Sequence, residues 1–146
     1  GTLALLTQLS RSTYRAANLA SGGAARMKQL VALSHLRELG PVAQSQLGTM
    51  LCLDANNTVL LLNELESAGL VVRKRCESDR RRHQIELTDQ GFEVLRHIEL
   101  ELNAVEDEVL AALDEDQRAQ FQELLHQAVH GERGVLARAR ADVALS

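Results

Sequence analysis

Three adjacent arginines, Arg80, Arg81 and Arg82, follow Asp79, and Arg73, Lys74 and Arg75 precede it by a few residues. Cations at that density can bind phosphate oxygens. An arginine on a narrow tip can also enter a minor groove, where negative potential is focused. Upstream lies a set of opposite character: Ala55, Asn56, Asn57, Val59, Leu60 and Asn63, with no charge among them. Asparagine can pair bidentately with adenine, and leucine or valine can touch a thymine methyl. Phosphate binding beside base-edge readout is the chemistry of DNA recognition. Asn56 and Asn57 also suit a helix start, where they would only cap and solvate the first turn.

Other reactive side chains offer less. Cys52 and Cys76 make no disulfide framework and suit a reducing compartment. Cys76 lies between Arg75 and the arginines of the tip, which would favour a thiolate; the plainer reading is an ordinary thiol, and Cys52 reads as a small turn residue. His126 and His130 are four apart, as are His97 and Glu101, a spacing that can hold a divalent ion. No further His or Cys completes a site nearby, so a solvated helix face is the better reading. His35 reads as a histidine at the edge of a core. No nucleophile elbow, P-loop or HExxH pattern is present, so an enzyme has no residues to stand on.

The elements that must position the DNA-facing residues are legible. Asp54 can cap a helix whose Leu61, Leu62 and Leu65 fall at helical spacing, and Gly69 can end it in the left-handed conformation. Val71 to Arg75 is β-rich. Cys76 to Arg82 is a polar tip, and His83 to Leu87 is a second strand with Ile85 and Leu87 on one face. Before this lies a short helix from Gln44 to Leu51, turned at Cys52-Leu53, and Val42-Ala43 reads as a strand edge of one or two residues. Two short helices, a tight turn and a hairpin with arginines at its tip are the plan of a winged helix-turn-helix.

The flanks are helical. Thr2 to about Ala20 carries Leu3, Leu6, Leu9, Thr13 and Ala17 on a broad face, and Ser21-Gly22-Gly23 breaks it. A second helix runs from about Ala24 to Leu39 and ends at Gly40-Pro41. Thr88 to about Leu113 predicts a long helix in which Leu95, Ile98, Leu102, Val105 and Val109 form a narrow seam. Asp114 and Gln117 have capping-box spacing, and a sixth helix follows to about His130. Composition leaves undecided whether Glu132 to Ser146 continues helically or frays. So many apolar faces cannot all be buried within one chain of 146 residues, and a second subunit is their natural cover.

Composition agrees. Leu and Ala dominate, Pro41 is the sole proline, and the chain is mainly helical by propensity. The net charge of −4 hides an uneven distribution. Residues 1–41 have five bases and one acid, residues 42–88 six of each, and residues 89–146 five bases and 13 acids. A basic wing on an acidic body is the outcome. No run is apolar and long enough for a membrane span, and no export signal is visible.

With these residues in view the chain resembles the MarR family of bacterial transcriptional regulators. The resemblance spans about Leu30 to Leu125 and is carried by LGTMLCLDANNTVLLLNELESAGLVVRKR, by DRRRHQIELTDQG, and by LDEDQRAQFQELL. Within these, Asp54, Asn56-Asn57, Leu61-Leu62, Leu65-Glu66 and Gly69-Leu70-Val71 follow the family pattern around the recognition helix. Asp79-Arg80-Arg81 matches the wing signature, and Leu87-Thr88-Asp89-Gln90-Gly91 matches Leu-Thr-x-x-Gly. The resemblance implies a homodimer with interleaved terminal helices, two winged lobes on a pseudo-palindromic site, and repression, often relieved by a small-molecule effector. It implies that Arg81 enters the minor groove and that Asp79 positions it. The chain departs from the pattern at Leu60 and Ala55, where many relatives carry larger or basic side chains. It also lacks the first-helix cysteine of peroxide-sensing relatives.

The expectation is therefore a mainly α fold with a small β-hairpin wing: a winged helix-turn-helix over about 42–88, with dimerisation helices over about 2–39 and 89–141. It would be a cytoplasmic, dimeric, sequence-specific DNA-binding regulator, not an enzyme, with no cofactor and no metal. Its DNA-contacting residues would be Asn56, Asn57, Leu60, Asn63, Arg73, Lys74, Asp79, Arg80, Arg81 and Arg82. Two other readings stay open: a winged-helix module for protein contacts without specific DNA binding, and a metal-responsive regulator.

Overall fold

The computed structural model describes residues 1–20, 23–79 and 81–138. In chain order these form α1 (Thr2–Leu19), α2 (Gly23–Leu39), β1 (Val42–Ala43), α3 (Gln44–Met50), α4 (Ala55–Ser67), β2 (Val71–Arg75), β3 (His83–Leu87), α5 (Asp89–Val109) and α6 (Glu115–His130). Of the tail, residues 135–138 are helical; 139–146, with the expected end of the second dimerisation segment at 141, lie outside the described residues, as do Ser21 and Gly22 of the expected break.

The sheet has three strands rather than the two of a bare hairpin. β3 is central, with β2 and β1 antiparallel on either side, and Val42 faces Ile85. Pro41 cannot donate to a ladder, so β1 is confined to two residues at the edge. The core lies between this sheet and the helices. Leu33 and Leu36 of α2, Leu47 of α3, Leu62 and Leu65 of α4, Ile85 of β3, and Leu95 and Ile98 of α5 are all buried there. Each such side chain contributes about 1.5–3 kcal/mol relative to exposure.

Local chemistry sets the joints. Asp54 caps α4, its Oδ1 accepting from the Asn57 backbone N–H at 2.7 Å. α4 stops in a Schellman motif: Gly69 takes φ +75°, Leu70 N–H donates to Leu65 O, and Gly69 N–H to Glu66 O. Thr88 then ties three elements together. Its hydroxyl donates to Gly69 O at 2.6 Å and accepts from Gly91 N–H at 2.9 Å, and its own N–H donates to Leu70 O. α3 and α4 meet closely at Gly48, where a Cβ would come within 2.5 Å of Thr58 Oγ1. Cys52 lies in the turn between these helices at φ +55°, unusual for a residue with a side chain.

α5 ends at Val109, short of the expected Leu113. Leu113 N–H turns back to Leu110 O, and Asp114 and Gln117 form the predicted capping box that starts α6. The seam of α5 is buried at Leu95, Ile98 and Val105 and half-buried at Leu102 and Val109. α6 has no buried residue, and α1 buries only Ala16 and Ala17. Leu3 and Leu19 are 78% and 83% exposed, and Leu124 is 56% exposed. Among the described residues no helix is long and apolar enough to cross a membrane.

Candidate nucleic-acid interface

The wing tip is a short loop held by its own backbone. Cys76 N–H donates to Arg82 O, and Arg82 N–H donates to Asp79 O. The Asp79 side chain accepts from the Arg81 N–H at 3.0 Å, an Asx turn that fixes the backbone from which the Arg81 side chain departs. Arg81 is exposed. The Arg82 side chain is 77% exposed and its Nε stands 3.8 Å from Asp79 Oδ2, a loose surface pair of little energetic weight. Arg80 lies outside the described residues.

The basic strand before the tip is more engaged than its sequence shows. Lys74 Nζ is 2.8 Å from Glu86 Oε2 across the β2–β3 ladder, though it remains 65% exposed. Arg73 is turned inward. It faces Ile85 in the register and so shares the sheet face that packs on the core. Its Nη2 donates to Asn63 Oδ1 at 2.8 Å, and its Nε, shielded from solvent, lies 3.7 Å from Glu66 Oε2.

On α4, Thr58, Leu61, Leu62 and Leu65 face the core and leave Ala55, Asn56, Asn57, Val59, Leu60 and Asn63 outside. The two adjacent asparagines differ. Asn57 is drawn into the cap: beyond its backbone bond, its Nδ2 donates to Asp54 Oδ2 at 3.0 Å. Leu60 is 52% exposed. Between this helix, α3 and the wing runs an open groove of about 940 Å³, lined among others by Gln44, Ser45, Thr49, Val59, Arg81 and His83. Gln44, Ser45 and His83 were not expected at the site. The signal for the first two was present, because α3 opens directly after β1 and its first turn must lie beside β3.

Cys76 is held below the ordinary thiol range by hydrogen bonding to Ser78 and to backbone, while Asp79 pushes the other way. Among the described residues the neighbouring arginines, the expected cause, do not contribute. Glu101 pairs with Arg26 at 3.0 Å instead of joining His97. His126 and His130 share a face as expected, and α2 meets them there. His126 Nε2 is 2.8 Å from Glu38 Oε1, and the His130 ring lies 4.9 Å from that of His126 and 5.9 Å from that of His35. Among the described residues no group of three or more His, Cys, Asp or Glu side chains is placed to hold a metal ion. A second cavity, about 300 Å³ and apolar, lies between α1, α2, α5 and α6, with Leu9, Met27, Leu102, Val105, Phe121 and Leu125 in its wall.

Residues 26–83 match the model of the MarR family. The fold is similar to that of wild-type MarR in its apo form from E. coli, with a TM-score of 0.71, 20% identity, and coverage of 88% of this chain and 96% of that one. It is similar to a mutant E. coli MarR complexed with operator DNA, with a TM-score of 0.64, 22% identity, and coverage of 86% and 91%. It is also similar to the PcaV transcriptional regulator from Streptomyces coelicolor in complex with its natural ligand, with a TM-score of 0.63, 25% identity, and coverage of 84% and 87%.

Proposed function

We propose that this chain, which carries a MarR-family segment over its winged helix and has the fold of MarR regulators, is a sequence-specific DNA-binding transcriptional regulator. The observation that carries the reading is one juxtaposition. A cationic tip, shaped by Asp79, stands across a groove from the exposed and uncharged face of α4. The tip supplies affinity through phosphate and groove potential, and the helix supplies apolar and amide contacts to base edges. Lys74, Arg80, Arg81 and Arg82 serve the first role, and Asn56, Leu60 and Asn63 the second. A binding protein, not an enzyme, is the reading.

The active species we propose is a cytoplasmic homodimer and a repressor. The exposed leucines of α1 and α6 support the dimer, since faces so apolar call for a cover. In this arrangement the segments about 2–39 and 89–141 would join two copies, and the segment about 42–88 would form each DNA-binding lobe. The apolar cavity between α1, α2, α5 and α6 supports a small-molecule effector. A metal-responsive regulator has no support in the side-chain groupings of the described residues.

The test is selection of bound duplexes from a random pool, with sedimentation at micromolar protein alongside. Enrichment of a two-fold-related sequence by a species of two chains is the expected result. A protein that enriches no sequence would instead be a winged-helix module for protein contacts. A monomer that binds its selected duplex specifically would end the dimer reading alone.

A further inference from the structure

Arg73 is the one wing-strand cation of the described residues whose guanidinium reaches α4. It lies on the core-facing side of the sheet, opposite Ile85, with its side chain only 23% exposed. Its Nη2 is spent on Asn63 Oδ1 at 2.8 Å, and its Nε is directed at Glu66. A guanidinium has five donors and no acceptor. The Asn63 carboxamide must therefore turn its oxygen to Arg73 and its NH2 away, so the amide orientation follows from chemistry. Asn63 is itself exposed, on the same stripe of α4 as Asn56 and Leu60. Bidentate reading of adenine needs the amide oxygen and nitrogen side by side on the base edge. With Oδ1 bonded to Arg73, the Asn63 NH2 is the group turned outward.

We propose that Arg73 is a positioning residue, not a phosphate contact, and that it fixes Asn63 as a hydrogen-bond donor to a purine N7 of the bound DNA; this rests on the DNA-binding reading above. Arg73 thereby joins the wing strand to the recognition helix. The base Asn63 reads is one that presents an acceptor in the major groove. Specificity at that position then depends on a residue that never touches DNA.

The experiment begins with duplexes selected from a random pool by the parent protein. A pool that enriches nothing overturns the DNA-binding reading and this proposal with it, before Arg73 is altered. On a selected duplex, each purine is replaced in turn by its 7-deaza analogue, which lacks the N7 acceptor. Parent, N63A, N63D and R73M are then titrated at several salt concentrations. The parent should lose about tenfold in affinity at one purine in each half-site, as expected for one lost base-edge contact. R73M keeps the length of the side chain but has no donor for Asn63 Oδ1. N63A and R73M should show no loss at that purine. R73M should keep the parent's slope of log affinity against log salt. N63D leaves Arg73 an acceptor and so spares the fold, but has no N–H to give. It too should show no loss there, so the proposal can still be overturned if R73M does not fold. A penalty that persists in N63D or R73M, or that is absent at every purine in the parent, overturns the proposal. An R73M protein that weakens selected and random duplexes alike, with the slope reduced by about one, returns Arg73 to a phosphate.

Discussion

His126 Nε2 stands 2.8 Å from Glu38 Oε1, and this pair joins α6 to the last turns of α2. Beside it, burial first and then the proximity of His130 hold the His35 imidazole below its ordinary value of 6.5. The hydrogen bond to His126, reinforced by Arg37 and His130, holds the Glu38 carboxyl below 4.5. For His35 the folded state prefers the neutral ring. That contribution is complete above pH 6.5 and is lost as pH falls through the lower folded value. The contribution of Glu38 is complete above 4.5 and is lost in turn below it. Thermal midpoints followed by circular dichroism should therefore fall on acidification from neutrality, and His35→Gln should flatten the first part of that fall. A midpoint that rises between neutrality and pH 5 would show that His35 does not prefer its neutral form in the fold.

At the wing, Arg81→Ala should weaken operator binding most, with the fold unchanged. Arg82→Ala should cost less and reduce the salt slope by about one or less. Asp79→Ala removes the acceptor that holds the Arg81 backbone while removing no cation. It should reproduce part of the Arg81 loss with no reduction in slope. Titrations of one operator at several salt concentrations separate the three, and parental binding by Arg81→Ala at every salt would exclude the tip from recognition.

Asn56 and Asn57 should behave differently despite being neighbours. Asn56→Ala should cost about 1–3 kcal/mol at one operator position and little elsewhere. Asn57 is tied to Asp54 through both backbone and side chain. Its replacement by Ala should lower the melting midpoint slightly and weaken all duplexes alike. The comparison needs binding to a set of single-base operator variants, and a position-specific loss for Asn57→Ala would contradict it.

Gly48→Ala tests the contact between α3 and α4. The new methyl would meet Thr58 Oγ1 at 2.5 Å, and that hydroxyl is committed to Asp54 O at 2.7 Å. Overpacking there should destabilise by about 1–3 kcal/mol in chemical denaturation. Gly48→Ala with Thr58→Ser, which removes the methyl 3.2 Å away but keeps the hydroxyl, should recover only part of the loss.

The features that were legible in the sequence are those decided within a few residues. Asp54 caps α4, Gly69 ends it, Asp114 and Gln117 start α6, and strand alternation places Ile85 and Leu87 inside, all as residue types and spacing predict. What was hidden depends on partners far apart in the chain. Arg73 reads as one cation of a basic run until the register with Ile85 turns it toward the core and onto Asn63. His126 reads as half of a helical pair until α2 supplies Glu38, 88 residues away. The strand edge expected at Val42-Ala43 is present as β1, but its pairing with β3 is not legible, because so short a segment has no periodicity of its own. The end of α5 was placed too late because Leu110 and Leu113 continue its apolar pattern through a turn.

Thr88 anchors the first residue of α5 to Gly69 and Leu70 at the base of the wing, and from there the helix runs 21 residues without interruption. At 1.5 Å per residue it is about 31 Å long, so a tilt of about 10° pivoting on that anchor carries the far end through about 5 Å. The distal half of α5, with Leu102, Val105 and Val109, lines the apolar cavity. A change of angle at the wing anchor that is small in degrees is therefore a displacement of several ångströms in the wall of that cavity.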